Sequence, residues 1–568
     1  MRAQPTREVS DEATDEVEPE GAADERGAGE GADAEDSVMH KADSSSNLIS
    51  VIVIVSRVTG FLRTSMQAWA LGAAGLASAY TVANQMPNFL YELVIGGMLI
   101  TSFLPVYLSV KKRLGKEGAS AYASNLLSIV IVLMALLAAV SFVFAAPIIW
   151  TQSAGADAGF DFGLSVWLFR WFCVSIVLYA LSSVFSGVLN AEREYLWSNL
   201  APVFNNVIII LMFVLYGYLV QKVGVPWRQA AIVLAVGTPL GIVVQVVTQV
   251  PALRRHGVRI RARINLHDPA LRDTLSIGLP TLLAVLATAP TTAVMSSSAL
   301  SVTPAGASVA YYARVWYVLP YSIFAIPITV TMFTELSASY LSKDLSRYRS
   351  YLADGFRKIT FTLIPCTMLL VVFAPALAAV FTSGQFGADA ADMTARYLQA
   401  LSLALPFYGL SAYVQKVCSS MMRMKFFALA SCVGSAAQIV ICLWLTPVFG
   451  LYVVPLSSTF FYGAIDLVTV LRIRSQLGGG IGLRSVGVCA LRALGLGAAG
   501  SVVGWLILEG LTLALGPCVG VVRGLLYAAV GGLPALAVTF GTASALGISD
   551  APFFDAIFSR ALRRVRRA

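Results

Sequence analysis

The sequence has 568 residues, of which 57% are apolar and only 12% are charged. This is about half the charged share of a soluble domain, so a soluble enzyme, a secreted disulfide scaffold and a nucleic-acid-binding domain all fit poorly. Residues 1–47 hold 14 acidic and four basic side chains, whereas the rest of the chain holds 17 acidic and 36 basic ones. The composition predicts an all-α polytopic membrane protein with basic loops, preceded by an acidic segment.

No part of the sequence indicates a metal site or a cofactor. The seven cysteines are scattered without a CxxC pair, and the chain has only three histidines. Both observations argue against a zinc site. The phosphate-binding pattern GxxxxGK[ST] is also absent from the sequence, which argues against direct ATP hydrolysis.

Apolar runs long enough to cross a bilayer follow one another from residue 47 onwards, each with the roughly 20 residues that a crossing helix needs. Residues 1–46 have almost no large apolar side chains and no signal-peptide pattern, so we expect a disordered tail that stays attached. The fourteen predicted spans are 47–70, 76–109, 121–149, 162–190, 197–221, 227–250, 273–300, 306–340, 357–382, 393–417, 424–446, 450–471, 485–514 and 520–545.

Lysine and arginine in the short loops predict the orientation. With the N-terminus in the cytoplasm, the inside loops and the C-terminal tail hold 27 basic residues, and the outside loops and span edges hold four. This distribution follows the positive-inside rule. Because the number of spans is even, we expect a multi-pass plasma-membrane protein with both ends in the cytoplasm.

The longest inside loop, 251–272, separates six spans from eight. Its alternating apolar and basic residues over Val258–Leu266 suit either an ordinary positive-inside loop or a contact with anionic lipids. Span 2 opens with Gly75–Tyr80 (GLASAY) and span 8 with Gly306–Tyr311 (GASVAY), in the same orientation. This echo predicts a parallel internal repeat whose two halves meet at a central cavity.

Four arginines lie inside predicted spans, where a charge is costly and indicates function. They are Arg57 and Arg63 in span 1, Arg170 in span 4 and Arg314 in span 8. Four guanidinium groups against few carboxylates favour an anionic ligand, and guanidinium binds phosphate through two oxygens at once. The alternative is structural: Arg57 reaches back to the inner interface, and Arg314 pairs with a carboxylate such as Glu92.

Helix breakers in spans 1, 2 and 8 predict bends beside the cavity. Proline frees a backbone carbonyl that lipid cannot satisfy, but a cavity or a neighbouring helix can. Kinks also occur in purely structural spans, so the pattern alone leaves both roles open. The helix breakers are Gly60, Pro87 with its neighbour Asn88, and Pro320.

Three carboxylates lie nearer the ends of their spans and are interpreted as structural. They are Glu335, Asp466 and Glu509.

Three spans resemble the MurJ/MviN lipid II flippases, a family of the multidrug/oligosaccharidyl-lipid/polysaccharide exporter superfamily. Ser56–Arg63 (SRVTGFLR) is similar to the first-helix pattern S-R-x-x-G-F-x-R. Val82–Asn88 (VANQMPN), which contains Asn84, resembles V-A-x-x-x-P-N, and Phe103–Pro105 resembles the F-V-P end of span 2. Tyr311–Arg314, followed by Pro320, is similar to the span 8 segment.

The resemblance implies fourteen transmembrane helices, with two six-helix lobes around a central cavity and two extra C-terminal helices. It also implies a transporter rather than an enzyme, which moves undecaprenyl-pyrophosphate-linked lipid II from the inner to the outer leaflet for cell wall synthesis. Arginines of spans 1, 2 and 8 line the cavity in this family, which supports Arg57, Arg63 and Arg314 as diphosphate ligands. The implied partners are lipid II or a related polyprenyl-pyrophosphate lipid, membrane lipids, and cell-wall synthesis or division proteins, but no nucleic acid.

The predicted division of the chain follows from the spans and this resemblance. Its units are the acidic tail 1–46, the N-lobe 47–250, the basic linker 251–272, the C-lobe 273–474, the last two spans 475–545 and the basic cytoplasmic tail 546–568.

Several positions depart from the family pattern. Tyr91 and Glu92 stand where paired arginines are common, Ser78 stands where an acid is frequent, and Val315 occupies the usual position of the span 8 arginine. One position turns a helical side chain by about 100°, so the cationic site is thinner than usual. The segment Tyr91–Gly97 (YELVIGG) resembles actinobacterial relatives.

Four other functions remain open at this point. A drug exporter would need carboxylates for cationic drugs, which the arginines disfavour. A membrane sugar transferase would need acidic or histidine groups on sizeable loops, and the outside loops 71–75 and 301–305 are short and bare. Export of another polyprenyl-linked glycan and a non-transporting cell-wall scaffold descended from a flippase both fit the composition.

Overall fold

The computed structural model describes residues 51–258, 261–548, 550–551 and 553–554. The predicted tail over 1–46 and most of the predicted tail over 546–568 lie outside these residues. Throughout the described ranges the regular structure is helical, without a strand. The described residues from Val53 onwards pack as one unit.

Eighteen helices and three π turns follow one another in the described part of the chain. The π turns are Glu92–Gly96, Leu219–Val223 and Tyr321–Ala325. The helices are α1 (51–71), α2 (Gly75–Tyr91), α3 (Gly97–Val143), α4 (Ala145–Ser153), α5 (Phe162–Phe172), α6 (Val174–Ala191), α7 (Tyr195–Tyr218), α8 (Trp227–Arg255), α9 (Pro269–Val302), α10 (Gly306–Pro320), α11 (Ile326–Leu341), α12 (Leu345–Ala379), α13 (Ala388–Ser402), α14 (Leu405–Ser420), α15 (Met424–Phe449), α16 (Val453–Gln476), α17 (Leu483–Leu515) and α18 (Val521–Ala545).

These helices form fourteen crossing segments that overlap the fourteen predicted spans. Neighbours separated by a π turn or by at most two residues count as one bent segment, as with α5 and α6 around Cys173. The long helix α3 contains the opposite case, because Gly115 has a φ of 69° and reverses the chain there. Ten helices in the described part are long and apolar enough to cross by themselves. The prediction of an all-helical, fourteen-span membrane protein is confirmed.

The turns at the predicted inside end repeat between the two halves. The turns 192–194, 342–344 and 421–423 each have three residues, and the middle residue has a positive φ. These residues are Arg193, Lys343 and Met422, and Gly115 has a positive φ in the turn after span 2. The turns after spans 2 and 8 therefore correspond, as do the turns after spans 4 and 10. This agreement supports the internal repeat.

The linker between the halves is fixed to α3 by alternate backbone groups. The N–H groups of Arg261, Arg263 and Asn265 donate to side chains of α3 at 3.1, 3.0 and 2.6 Å. The first turns of α9 are held by the same helix, since the Tyr122 hydroxyl lies 2.7 Å from that of Thr274. Further along α9, the sulfur of Met295 accepts a hydrogen bond from Nε2 of Gln438 on α15 at 3.0 Å. Helix α9 thus begins on one half and continues against the other.

The two halves meet closely at the predicted outside end. The Ser308 N–H donates to the Ser78 hydroxyl at 3.2 Å, and the Tyr312 hydroxyl donates to the Gly72 carbonyl at 2.8 Å. The Gln385 N–H donates to the carbonyl of Trp69 at 3.0 Å. Such backbone contacts leave no gap for a large molecule between these loops.

We expect Gly72→Ala to lower the melting temperature of the purified protein more than Gly224→Ala does. Both glycines have a positive φ, so alanine costs about 1–2 kcal/mol of backbone strain at either position. Only at Gly72 would the new Cβ also lie 2.6 Å from a backbone oxygen, that of Gln385, because nothing lies within 4 Å at Gly224. Thermal unfolding in detergent measures the difference, and equal shifts would contradict the packing of this end.

A half-buried ion pair joins α3 to the turn after α6. The carboxylate of Glu192 accepts hydrogen bonds from Lys111 Nζ at 2.7 and 2.8 Å and from the Tyr107 hydroxyl at 2.9 Å. Burial by itself raises the pKa of Glu192, but these hydrogen bonds and the charge of Lys111 outweigh it and lower the pKa below its ordinary value of 4.5. The charged form of Glu192 is therefore favoured by the folded state.

A lowered pKa makes this contribution to stability complete above pH 4.5 and removes it as the pH falls through the folded-state value. We expect Glu192→Gln to lower the melting temperature at neutral pH and the difference from wild type to shrink below about pH 4.5. Glu194→Gln serves as the control, because Glu194 pairs only with His256, at 3.2 Å, on a more exposed surface. A difference that stays constant with pH would contradict the assignment.

Candidate functional site

A cavity of about 670 Å³ lies among α2, α4, α9, α10, α13, α14, α15 and α16. Its wall combines aromatic rings, amides and hydroxyls within a membrane-spanning bundle. Among the described lining residues Arg314 is the only charged one. The lining tyrosines are Tyr311, Tyr317, Tyr321, Tyr397, Tyr408 and Tyr462, and the lining glutamines are Gln85, Gln152, Gln415 and Gln438.

Arg314 carries its positive charge into this cavity without a counter-ion. Its side chain is exposed to the cavity, and it forms no ion pair within the described residues. Tyr317, Tyr397 and Tyr462 lie close enough to interact with it electrostatically. Neutral hydroxyls solvate a guanidinium group in part but cannot cancel its charge, so the charge of Arg314 stays uncompensated among the described residues.

Arg63 of α1 contacts the same wall, at Tyr311, without lining the cavity itself. Its Nη2 donates to the hydroxyl of Tyr311 at 3.5 Å, which joins α1 to α10. Tyr311 precedes Arg314 by three residues, so the two side chains share one face of α10. Arg63 is half-buried and is not part of the lining itself. The structure therefore brings Arg63 and Arg314 to one wall through Tyr311.

Arg57 and Arg170 are not brought to the cavity. Both are exposed, and neither is among the lining residues. The guanidinium of Arg170 lies 5.8 Å from the ring centre of Phe142, a cation–π contact on the surface of the bundle. Their assignment as diphosphate ligands stays a prediction from the sequence.

Glu92 does not neutralise Arg314. It is exposed, and its carboxylate accepts a hydrogen bond from the Asn88 amide at 3.0 Å. It forms no ion pair with any arginine in the described ranges. Asn84, one turn before Asn88 on α2, is half-buried. The departure from the family pattern at Glu92 thus leaves the charge of the cavity unchanged.

The predicted helix breakers coincide with irregular turns in both halves. Pro87 lies inside α2, five residues before the π turn Glu92–Gly96. Pro320 ends α10, and the π turn Tyr321–Ala325 follows at once. Such π turns widen a helix locally and often occur at functional sites. Gly60 instead packs next to Asn206 of α7, with 3.7 Å between its Cβ position and the amide nitrogen.

A regular spacing of tyrosines in the sequence indicates this aromatic wall, which was not predicted from the motifs. Tyr311, Arg314, Tyr317 and Tyr321 are spaced by three, three and four residues, which places them on one helical face. All four line the cavity. Asp466, interpreted from the sequence as structural, is buried directly behind this cavity.

The family description "Lipid II flippase MurJ" matches residues 67–520, about four fifths of the chain. The chain belongs to the lipid II flippase MurJ family. A Burkholderia cenocepacia protein named lipid II flippase MurJ is 26% identical over 364 residues, which cover 63% of this chain and 69% of the relative. A Vibrio cholerae protein named probable lipid II flippase MurJ is 27% identical over 373 residues, with the same coverage.

Solved structures share the fold of this MurJ-family chain. A structure of lipid II flippase MurJ in an inward closed conformation matches with a TM-score of 0.68 at 19% identity, over 88% of this chain and 99% of that one. An inward-facing multidrug resistance transporter of the MATE family and MOP superfamily matches with a TM-score of 0.61 at 17% identity, over 75% and 98%. The predicted MurJ/MviN resemblance is confirmed.

The family match begins at residue 67, so the segment Ser56–Arg63 lies just before it. The similarity of that segment to the first-helix pattern stays a prediction. Span 2 with Val82–Asn88 and span 8 with Tyr311–Arg314 lie within the matched residues.

We expect Arg314→Ala to weaken binding of a polyprenyl diphosphate to the purified protein by about tenfold or more, because a hydrogen-bonded charge contributes roughly 1.5–3 kcal/mol. Arg314→Lys should fall between this variant and wild type, since lysine keeps the charge but loses the two-pronged geometry. Arg228→Ala, which removes an exposed charge that pairs with Asp161 outside the cavity, should bind as wild type does. Equal loss in the Arg314→Ala and Arg228→Ala variants would contradict the site.

Proposed function

We propose that this protein moves lipid II, the undecaprenyl-pyrophosphate-linked peptidoglycan precursor, from the inner to the outer leaflet of the plasma membrane. The activity named for its relatives supports the substrate. The observation that carries the proposal is the guanidinium of Arg314, which lies in a membrane cavity and forms no ion pair with any described residue. A transporter for cationic drugs would need the opposite charge there.

The lining suits both parts of the polar headgroup. The diphosphate contacts Arg314, with Arg63 supporting the wall through Tyr311. The sugars contact the tyrosine rings and the amides of residues such as Gln415, which offer apolar faces and hydrogen-bonding groups together. The isoprenoid tail stays in the surrounding lipid, because it gains nothing by entering a polar cavity.

In an alternating-access cycle, the closely packed end would open and the bent spans would allow the movement. With both termini in the cytoplasm, the tightly packed end is the outer one, and the headgroup enters from the inner leaflet. Opening requires the contacts at Gly72 and Ser308 to separate while the opposite end closes. The π turns after Pro87 and Pro320 are the positions where spans 2 and 8 can bend without breaking other backbone hydrogen bonds.

Depletion of the protein in its own host tests the proposal directly. We expect lipid II to accumulate in the inner leaflet and to decrease in the outer leaflet, as measured by a reagent that reaches only the outer surface. A matched measurement in cells that express Arg314→Ala at the wild-type protein level should give the same result as depletion, whereas Arg228→Ala should restore the wild-type distribution.

Two outcomes would reject the proposal. Unchanged outer-leaflet lipid II after depletion would remove lipid II as the substrate and favour export of another polyprenyl-linked glycan. Full restoration of growth by Arg314→Ala, at a normal protein level, would favour a cell-wall scaffold that transports nothing.

A further inference from the structure

Asp466 is a carboxylate buried in the membrane behind the cavity wall. It lies within α16 with 8% of its surface exposed. Its Oδ1 accepts a hydrogen bond from the Ser411 hydroxyl at 2.7 Å, whereas its Oδ2 is buried and has no partner among the described residues. No basic group of the described residues lies within 4 Å of it. A charged carboxylate is costly in such a place, whereas a neutral carboxylic acid is not.

The surroundings of Asp466 connect it to the cavity. Its neighbour Ile465 and its hydrogen-bond partner Ser411 both line the cavity, as does Tyr462 one turn earlier on α16. One layer of side chains therefore separates the carboxylate from the space where the substrate headgroup binds.

The titratable and charged groups near Asp466 come from α16 itself, from α10, α13 and α14, and from the π turn Tyr321–Ala325. Tyr397 of α13 lines the cavity and interacts electrostatically with Arg314. Tyr462, on α16 itself, interacts electrostatically with both Asp466 and Arg314 of α10. The ring of Tyr408 on α14 lies 5.0 Å from that of Tyr462, and the ring of Tyr321 lies 4.3 Å from that of Tyr408. Helix α15 buries small groups that do not titrate: Ala430, Ser431, Gly434 and Ser435. Arg314 is therefore the one permanent charge among the groups that these contacts place around Asp466.

We infer that Asp466 is a proton-binding site coupled to anion binding at Arg314, so that the lipid-linked diphosphate binds together with one proton. The inference rests on the proposed function for the identity of the anion. Without substrate, the uncompensated positive charge of Arg314 opposes the entry of a proton at Asp466, and Tyr462, which interacts electrostatically with both groups, lies in the wall with them. When the diphosphate occupies Arg314, its negative charge removes that opposition.

The proton then moves from water in the cavity to Oδ2 of Asp466, which becomes a neutral acid and still accepts the hydrogen bond from Ser411. When the diphosphate leaves, the proton returns to water, and the carboxylate is restored. By linkage, protonation of Asp466 must strengthen diphosphate binding by the same factor by which the diphosphate favours protonation. Between the two protonation states, the affinity changes by up to tenfold per pH unit for one coupled proton.

The test measures lipid II binding to the purified full-length protein between about pH 5.5 and pH 8. In this range the diphosphate diester of the lipid keeps its charge, whereas a carboxyl whose pKa is shifted into the range changes its protonation state. Wild type should bind more tightly as the pH falls. Asp466→Asn should bind with the affinity of low-pH wild type at every pH. Ser411→Ala, which removes a donor to the carboxylate, should move the midpoint of the dependence to higher pH. Glu509→Gln, which removes an exposed carboxylate of α17, is the matched control and should behave as wild type does.

A second measurement does not depend on lipid II. Infrared difference spectra of the protein between the two ends of the pH range should show the C=O band of a protonated carboxylic acid, and Asp466→Asn should lack that band. Circular dichroism and thermal unfolding check that each variant is folded. If Asp466→Asn unfolds, Ser411→Ala still decides the question through its shifted midpoint.

The outcomes separate the inference from the proposed function. Binding of lipid II without any pH dependence, or a pH dependence kept in Asp466→Asn, overturns the proton site and leaves the transport proposal standing. An affinity that follows sodium concentration rather than pH also overturns it, in favour of a metal cation. If wild type binds no lipid II, the proposed function fails, and the infrared band alone decides whether Asp466 binds a proton.

Discussion

A guanidinium group inside a bilayer has no water to solvate it, and an arginine near the bilayer centre costs about 2.5–3.5 kcal/mol. The protein accommodates Arg314 in a hollow lined by tyrosine hydroxyls and glutamine amides rather than against a carboxylate. These dipoles reduce the cost of burying the charge but leave its sign unchanged. The charge of the cavity therefore favours an anionic ligand before any substrate binds. The bent spans and the closely packed end can serve transport only because of this preference.

The two halves repeat in their backbone but differ in their chemistry. Their turns correspond, and spans 2 and 8 each combine a proline with a π turn. The aromatic wall, Arg314 and Asp466 nevertheless all belong to the second half, whereas the first half contributes Gln85, Gln152 and the support of Arg63. A symmetric frame thus holds an asymmetric cavity wall, in which the second half supplies the positive charge and the aromatic rings.

The fourteen spans could be predicted from the sequence because lipid imposes one rule everywhere: a crossing segment must be long, apolar and helical. The same rule flagged Arg314, since a charge within such a segment stands out. Hydropathy gives depth along a helix but not the direction of a side chain relative to other helices. For that reason the sequence does not distinguish Arg170, which lies on the surface of the bundle, from Arg314, which lines the cavity. Asp466 was set aside for its distance from the middle of its span, although its burial depends on α14 and the adjacent wall.

Helix α9 is clamped at one end to α3 and along its later part to α15. A rod shared in this way cannot follow either partner as a rigid body once the partners rotate apart. The linker gives α9 no slack at its start, because its backbone donates hydrogen bonds along α3. A rotation of α3 away from α15 would therefore have to be taken up within α9 itself.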